Sequence, residues 1–228
     1  MTGKRFEAAS KLVDKKKVYT LDEAMAIIVS LPKAGFDEAV ELHVNLGIDP
    51  TKGDQQIRGT IALPHGVGGK SKRVVAFVEA AKEDEAKKAG ADIVGGEELI
   101  DQIASKNVID FDVAVATPAM MAKLSKIAKI LGPKGLMPNP KTDTVGPNVA
   151  KLIAEQKAGK QSFKNDNTAN VHQIFGRASF SPEQLKANLV ALAELIRKLK
   201  PASSKGIFFR SATVTTTMGP AIKVDLNS

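Results

Sequence analysis

Between two glycine-bearing stretches, near residues 66–71 and 158–160, the chain alternates strand and helix in an order that admits few folds. Val74 to Val78 is an unbroken apolar run of strand length, as a strand buried on both faces requires. A charged helix over Ala81–Ala89 closes at Gly90, and Asp92-Ile93-Val94 is a short strand. Glu97–Ala104 reads as a helix, Asp112–Ala116 as a strand, and Ala119–Leu131, after Pro118, as an apolar-periodic helix. Parallel neighbours need long crossovers, so this order predicts a parallel sheet with helices on both faces. No Gly-x-Gly-x-x-Gly follows a strand, and no dinucleotide site is predicted. Asn148–Lys157 is a further helix, and Ala158-Gly159-Lys160 is the joint that leads back.

Neither flank can bury an adequate core by itself. In the first, Thr20 and Glu23 make a capping box for a helix running to about Ser30. Phe36 to Ile48 follows as a strand, with Val40, Leu42, Val44, Leu46 and Ile48 inward and Asp37, Glu41, His43 and Asn45 outward; Phe36 shares the inward parity. Ile57, Gly59, Ile61 and Leu63 alternate as a second strand. In the other flank, Ser162–Asp166 and Val171–Phe180 read as a hairpin. Ser181-Pro182-Glu183-Gln184 then opens a long helix whose stripe is Leu185, Leu189, Leu192, Leu195, Ile196 and Leu199. The economical arrangement is an α/β protein of two domains. Residues 1–66 and 160–228 form a discontinuous α+β domain, and 67–159 form an inserted Rossmann-like domain, joined by a two-stranded hinge.

The last strand candidate, Ser211 to Pro220, carries the chemistry. Alternation puts Ser211, Thr213, Thr215 and Thr217 on one face and Ala212 and Val214 on the other. A row of hydroxyls suits phosphate oxygens and ribose 2′-hydroxyls, and it equally suits an ordinary solvent-facing strand. Met218-Gly219-Pro220 ends the ladder and lets a partner approach closely. The net charge is +8, and residues 160–228 hold +6 of it, with ten basic and four acidic residues. Such clustering points to a polyanion. The chain has no cysteine, and its three histidines, His43, His65 and His172, have no metal-ligand spacing. Without a membrane-length apolar run or a secretory h-region, the expectation is a cytoplasmic protein with no membrane partner.

Pro64 to Ser71 imitates a phosphate loop at Gly69-Lys70-Ser71, which makes a nucleotide-binding hydrolase the alternative reading. The motif needs a glycine where Pro64 stands and a helix after it, whereas Arg73–Val78 reads as a strand. No Gly-x-Ser-x-Gly or other nucleophile-base set accompanies it, so no enzyme activity and no cofactor are predicted.

Thr215-Thr216-Thr217-Met218-Gly219-Pro220 resembles the C-terminal signature of the bacterial-type ribosomal protein family numbered one, which sits on the exit-site stalk of the large subunit. Leu46-Gly47-Ile48-Asp49, Arg58-Gly59-Thr60, Leu63-Pro64-His65-Gly66, Leu131–Lys141 and Lys164-Asn165-Asp166 match in the family's order across nearly the whole chain. The resemblance implies a structural protein that is monomeric when free and works in the ribosome. Its partners would be ribosomal RNA of the mobile stalk, departing exit-site tRNA and, as translational repressor, its own operon mRNA. It implies an RNA surface of Phe36, Lys164, Asp166, Ser211, Thr215, Thr217, Met218 and Gly219, with Asp166 orienting neighbours rather than touching phosphate. Lys134 and Lys141 flank an apolar Leu136-Met137 tip that reads as packing on its own domain, and the two lysines could offer a weaker phosphate contact. The chain departs from the family's Asn-Asp-Lys-x-Gly at Asn167 and Ala169, and Asn170 is the residue expected in a left-handed turn position.

Overall fold

The computed structural model describes residues 3–69, 72–106 and 108–226. Helices α1 (Lys4–Lys11) and α2 (Leu21–Ser30) precede strands β1 (Ala39–Leu46) and β2 (Arg58–Ile61). Then come β3 (Val74–Phe77), α3 (Glu83–Lys88), β4 (Ile93–Gly95), α4 (Glu97–Lys106), β5 (Val113–Ala116), α5 (Pro118–Leu124), α6 (Ala128–Leu131) and α7 (Val149–Lys157). Last are β6 (Gln161–Lys164), β7 (Asn170–Arg177), α8 (Pro182–Lys198), β8 (Phe209–Thr216) and β9 (Ile222–Val224). The protein is thus mixed α/β with several sheets. It divides into two compact units, one made of residues up to Gly69 and from Ser162 onward, the other of the stretch between.

The first unit is built on an antiparallel sheet in the order β7-β1-β8-β9. Val40, Leu42, Val44 and Leu46 of β1 are buried, as alternation requires, with Val171 and Phe175 of β7 and Ala212 and Val214 of β8. They share one core with Ala24, Met25 and Ile28 of α2 and with Leu185, Leu189, Leu192 and Ile196 of α8. Each of these large aliphatic side chains contributes about 1.5–3 kcal/mol by leaving water. Both helix starts are fixed locally: Thr20 with Glu23 and Ser181 with Gln184 form complete capping boxes. The opposite face of the sheet carries Glu41, His43 and Asn45 of β1, Asn170 and His172 of β7, and Thr213 and Thr215 of β8, none of them buried. Strands β2 and β6 pair as a separate two-stranded sheet.

The second unit has a parallel sheet in the order β4-β3-β5. Its central strand shows the period of two: Val75 and Phe77 pack with α4, α5 and α6, while Val74, Ala76 and Val78 pack with α3 and α7. Leu136 and Met137 lie against the first of these clusters, as predicted.

Four local expectations are corrected. The strand from Phe36 begins only at Ala39, and Phe36 is 56% exposed rather than inward. Glu38 takes the inward place instead, and its carboxylate binds the Ala34 amide, which bends residues 34–38 away from the ladder. The helix over Ala119–Leu131 is interrupted by a 3-10 turn at Ser125–Ile127, where the Ser125 hydroxyl donates to the Ala122 carbonyl at 2.6 Å. The helix over Ala81–Ala89 starts as a 3-10 turn, Ala80–Lys82. Finally, Ala169 rather than Asn170 takes the left-handed turn position, at φ 64°. Asn170 is already in β7, hydrogen-bonded into the ladder with Asn45.

Candidate nucleic-acid interface

The sequence-predicted residues other than Lys164 gather at two ends of the uncovered sheet face. Ser211 and Thr215 lie on β8 opposite Asn45 and Glu41 of β1. Four residues of strand separate them by about 13 Å.

At one end, β8 runs into the Thr216–Gly219 turn, and a single carboxylate organises it. Glu38 is 3% exposed. Its Oε1 accepts from Arg5 Nη1 at 3.0 Å and the Ala34 amide at 3.1 Å. Its Oε2 accepts from the Met218 amide at 3.0 Å, and the Thr216 hydroxyl also donates to it. Burial would raise the Glu38 pKa. The Thr216 hydroxyl, the Met218 and Ala34 amides and Arg5 outweigh it, and the carboxyl titrates below its ordinary range. Arg5 also reaches the Met218 carbonyl at 3.3 Å, which ties α1 to the turn. Phe36 and Met218 thus stand exposed on two loops held by one buried group. Gly219 is required here: a Cβ would fall on the Thr216 hydroxyl that binds Glu38.

The threonine hydroxyls of this end meet backbone groups. Thr215 Oγ1 donates to the Thr216 carbonyl at 2.9 Å. Thr217 Oγ1 accepts the Ala39 amide at 3.0 Å and donates to the Ala39 carbonyl at 3.4 Å. Each keeps acceptor lone pairs. The Ser211 hydroxyl has no partner among the described residues.

At the other end, Asn45 pairs with Ser211 on one side and Asn170 on the other. Asn45 Nδ2 donates to Asn170 Oδ1 at 2.7 Å. Asp166 builds the turn beside them. Its Oδ1 accepts the Thr168 and Asn170 amides at 2.8 and 2.7 Å, and its Oδ2 accepts the Thr168 hydroxyl at 2.7 Å. These bonds, the Thr168 hydroxyl first, hold its carboxyl far below the usual range. Both oxygens accept hydrogen bonds from within the turn. Lys164 is exposed at the end of β6, in the separate two-stranded sheet.

Three features escaped sequence reasoning. Glu38 was signalled only by an acid at inward parity, two residues before Val40. His43 and His172, which no sequence spacing links, meet across β1 and β7 with Nδ1 atoms 2.7 Å apart. Asn188 is fully buried in α8, where it accepts the His65 amide at 3.0 Å and donates to the Gly66 and Phe175 carbonyls. That clamp fixes the start of the loop that imitates a phosphate site. Lys70 and Ser71 lie outside the described residues, and the element that follows is strand β3, which offers no helix N-terminus to a phosphate. Among the described residues, no group of three or more His, Asp or Glu is placed to hold a metal ion, and no helix is long and apolar enough to cross a membrane.

Comparison with known proteins matches residues 26–220 to the family model described as the ribosomal protein L1p/L10e family. The chain is 52% identical over 225 residues to the large ribosomal subunit protein uL1 of Fervidobacterium nodosum, covering 99% of this chain and 95% of that one. It is also 52% identical over 223 residues to the large ribosomal subunit protein uL1 of Kosmotoga olearia, covering 98% and 96%.

Proposed function

The chain belongs to the ribosomal protein L1p/L10e family, a structural ribosomal protein rather than an enzyme, and from that premise we propose that its uncovered sheet face holds ribosomal RNA of the mobile exit-site stalk. Its place is the ribosome, in the cytoplasm. Phe36, Thr215, Thr217, Met218 and Gly219 form one contact zone, and Ser211, Asp166 and Lys164 the other. The observation that carries this reading is the state of the hydroxyls. Thr215 and Thr217 lie within hydrogen-bond reach of backbone carbonyls and keep acceptor lone pairs, so they suit the donor of a ribose 2′-hydroxyl. Ser211 keeps its donor for phosphate or ribose. Such a face reads RNA by its sugar edge and shape, with Phe36 and Met218 as exposed apolar contacts.

In this reading residues 1–66 and 160–228 are the RNA-binding domain, and 67–159 form an inserted domain carried on a two-stranded hinge. A rigid grip on a mobile stalk would assist release of deacylated tRNA. The same face would hold an RNA of like shape in the protein's own message and repress its translation, with the free protein a monomer.

The test is binding to a stalk-type ribosomal RNA fragment at two salt concentrations. Met218→Ala is expected to weaken binding about tenfold, or about 1.4 kcal/mol, with the fold intact. Wild-type affinity falls as salt rises. Binding that ignores the substitution would leave positive charge as the whole explanation.

A further inference from the structure

We propose that His43 and His172 together form an additional RNA contact that takes up one proton on binding, so that affinity for RNA rises as pH falls. This rests on the RNA-binding reading of the same face.

The two imidazoles are 129 residues apart in sequence and directly opposite in register, on neighbouring strands. Their ring centroids are 5.0 Å apart, with planes tilted by 59°. At an Nδ1 to Nδ1 distance of 2.7 Å, two lone pairs cannot face each other, so one Nδ1 carries a proton that the other accepts. The outer nitrogens face carboxylates. His43 Nε2 is 3.6 Å from Glu41 Oε2, and His172 Nε2 is 3.6 Å from Asp166 Oδ2. Those distances are long for hydrogen bonds, yet the charges favour an N–H at both positions. The arrangement that satisfies all of these contacts has three protons on four nitrogens, which is one positive charge on the pair.

The surroundings act on that third proton in both directions. Burial of His43 and the nearby His172 oppose it, while Glu41 favours it. Asp166, on the turn before β7, sets a second carboxylate beside the pair, 3.6 Å from His172 Nε2. On β8, neutral Thr213 stands opposite His43, and beyond it Lys223 of β9 adds a distant like charge. With the pair neutral, this face presents Glu41 and Asp166 to an approaching phosphate backbone. With the pair charged, it presents a cation between them. RNA therefore favours the charged form, and by linkage its binding takes up a proton.

The experiment uses the full chain and a stalk-type ribosomal RNA fragment, with affinity measured by fluorescence anisotropy at constant ionic strength. Wild type is compared with the His43→Asn/His172→Asn double variant. Wild-type affinity is expected to be about three- to tenfold tighter at about pH 6 than at about pH 8, after subtraction of the change seen in the double variant. Imidazole NMR of the wild type reports independently: the pair's titration should move to higher pH when RNA is added. Equal pH profiles in the two proteins, or an imidazole titration that RNA leaves unmoved, would overturn the proposal. Met218→Ala separates this result from the reading beneath it, because it should weaken binding at every pH alike. If wild type binds no RNA at any pH, the RNA reading falls and the histidine proposal with it.

Discussion

Replacing Glu38 with glutamine tests whether one buried carboxylate sets the rim of the interface. The substitution keeps shape and nearly all volume. It exchanges one acceptor oxygen for an NH2 group, and both oxygens are in use. Oε1 takes Arg5 and the Ala34 amide, while Oε2 takes the Met218 amide. Either orientation of the new amide points a donor at a backbone donor. Losing the charge-assisted bond to Arg5 removes about 1.5–3 kcal/mol in a dry site, and a stranded N–H adds about 1–3 kcal/mol. The Arg5 side chain is 33% exposed and recovers part of its loss from water. We therefore expect Glu38→Gln to destabilise the first unit by about 2–4 kcal/mol, lowering Tm by about 10 °C. Urea and thermal unfolding followed by circular dichroism would measure it. The acid limb supplies a second reading. The folded pKa of Glu38 lies below the ordinary value of 4.5, so its contribution is complete above that value and is lost as pH falls through the folded pKa. The glutamine variant should show a flatter loss of stability in acid. A variant within about 0.5 kcal/mol of wild type, with the same acid profile, would refute the argument and mean that water serves these donors as well as the carboxylate does.

Other substitutions probe separate parts of the face. Gly219→Ala should cost about 1–3 kcal/mol by displacing the Thr216 hydroxyl, which thermal unfolding would read, and should weaken RNA binding further by moving Met218. Ala169→Gly should change stability by less than about 1 kcal/mol, since relief of the left-handed backbone is offset by a lost buried methyl and a looser unfolded chain; urea titration checks this. Ala169→Val keeps the strain and adds β-branching, and should be the less stable of the two in the same assay. Thr215→Val should lower affinity for an RNA fragment while leaving weak binding to the corresponding DNA unchanged, whereas Ser211→Ala should weaken both; paired anisotropy titrations would distinguish them.

What was legible in the sequence is what period and capping can encode. The alternation in β1, the stripe of α8 and the strand–helix order of residues 74–157 each reflect one-dimensional patterns that burial imposes. The family signature located the Thr215–Pro220 stretch but not its chemistry. Thr215, Thr216 and Thr217 look alike in sequence. In the fold one donates to backbone carbonyls, one is buried against a carboxylate, and one locks onto Ala39. The histidine pair and the Asn188 clamp were hidden for a related reason: His172 lies 129 residues from His43 and His65 lies 123 from Asn188, and no spacing rule links them. Only the inward parity of Phe36 fails, because alternation does not reveal a bend one side chain upstream of a strand.

The position of β1 in its sheet also dictates an order of events during synthesis. Residues 39–46 pair with 170–177 on one side and 209–216 on the other. The strand at the middle of the sheet is made early and gains its partners last. The parallel sheet of residues 74–116 draws all its strands from one short interval and can close first. At about 5–20 residues per second, β1 waits for seconds to tens of seconds with two open edges and an apolar face. A nascent chain arrested before residue 209 should hold a folded inserted unit beside an unfinished one, and pulse proteolysis of such arrested chains would show protection arriving in that sequence.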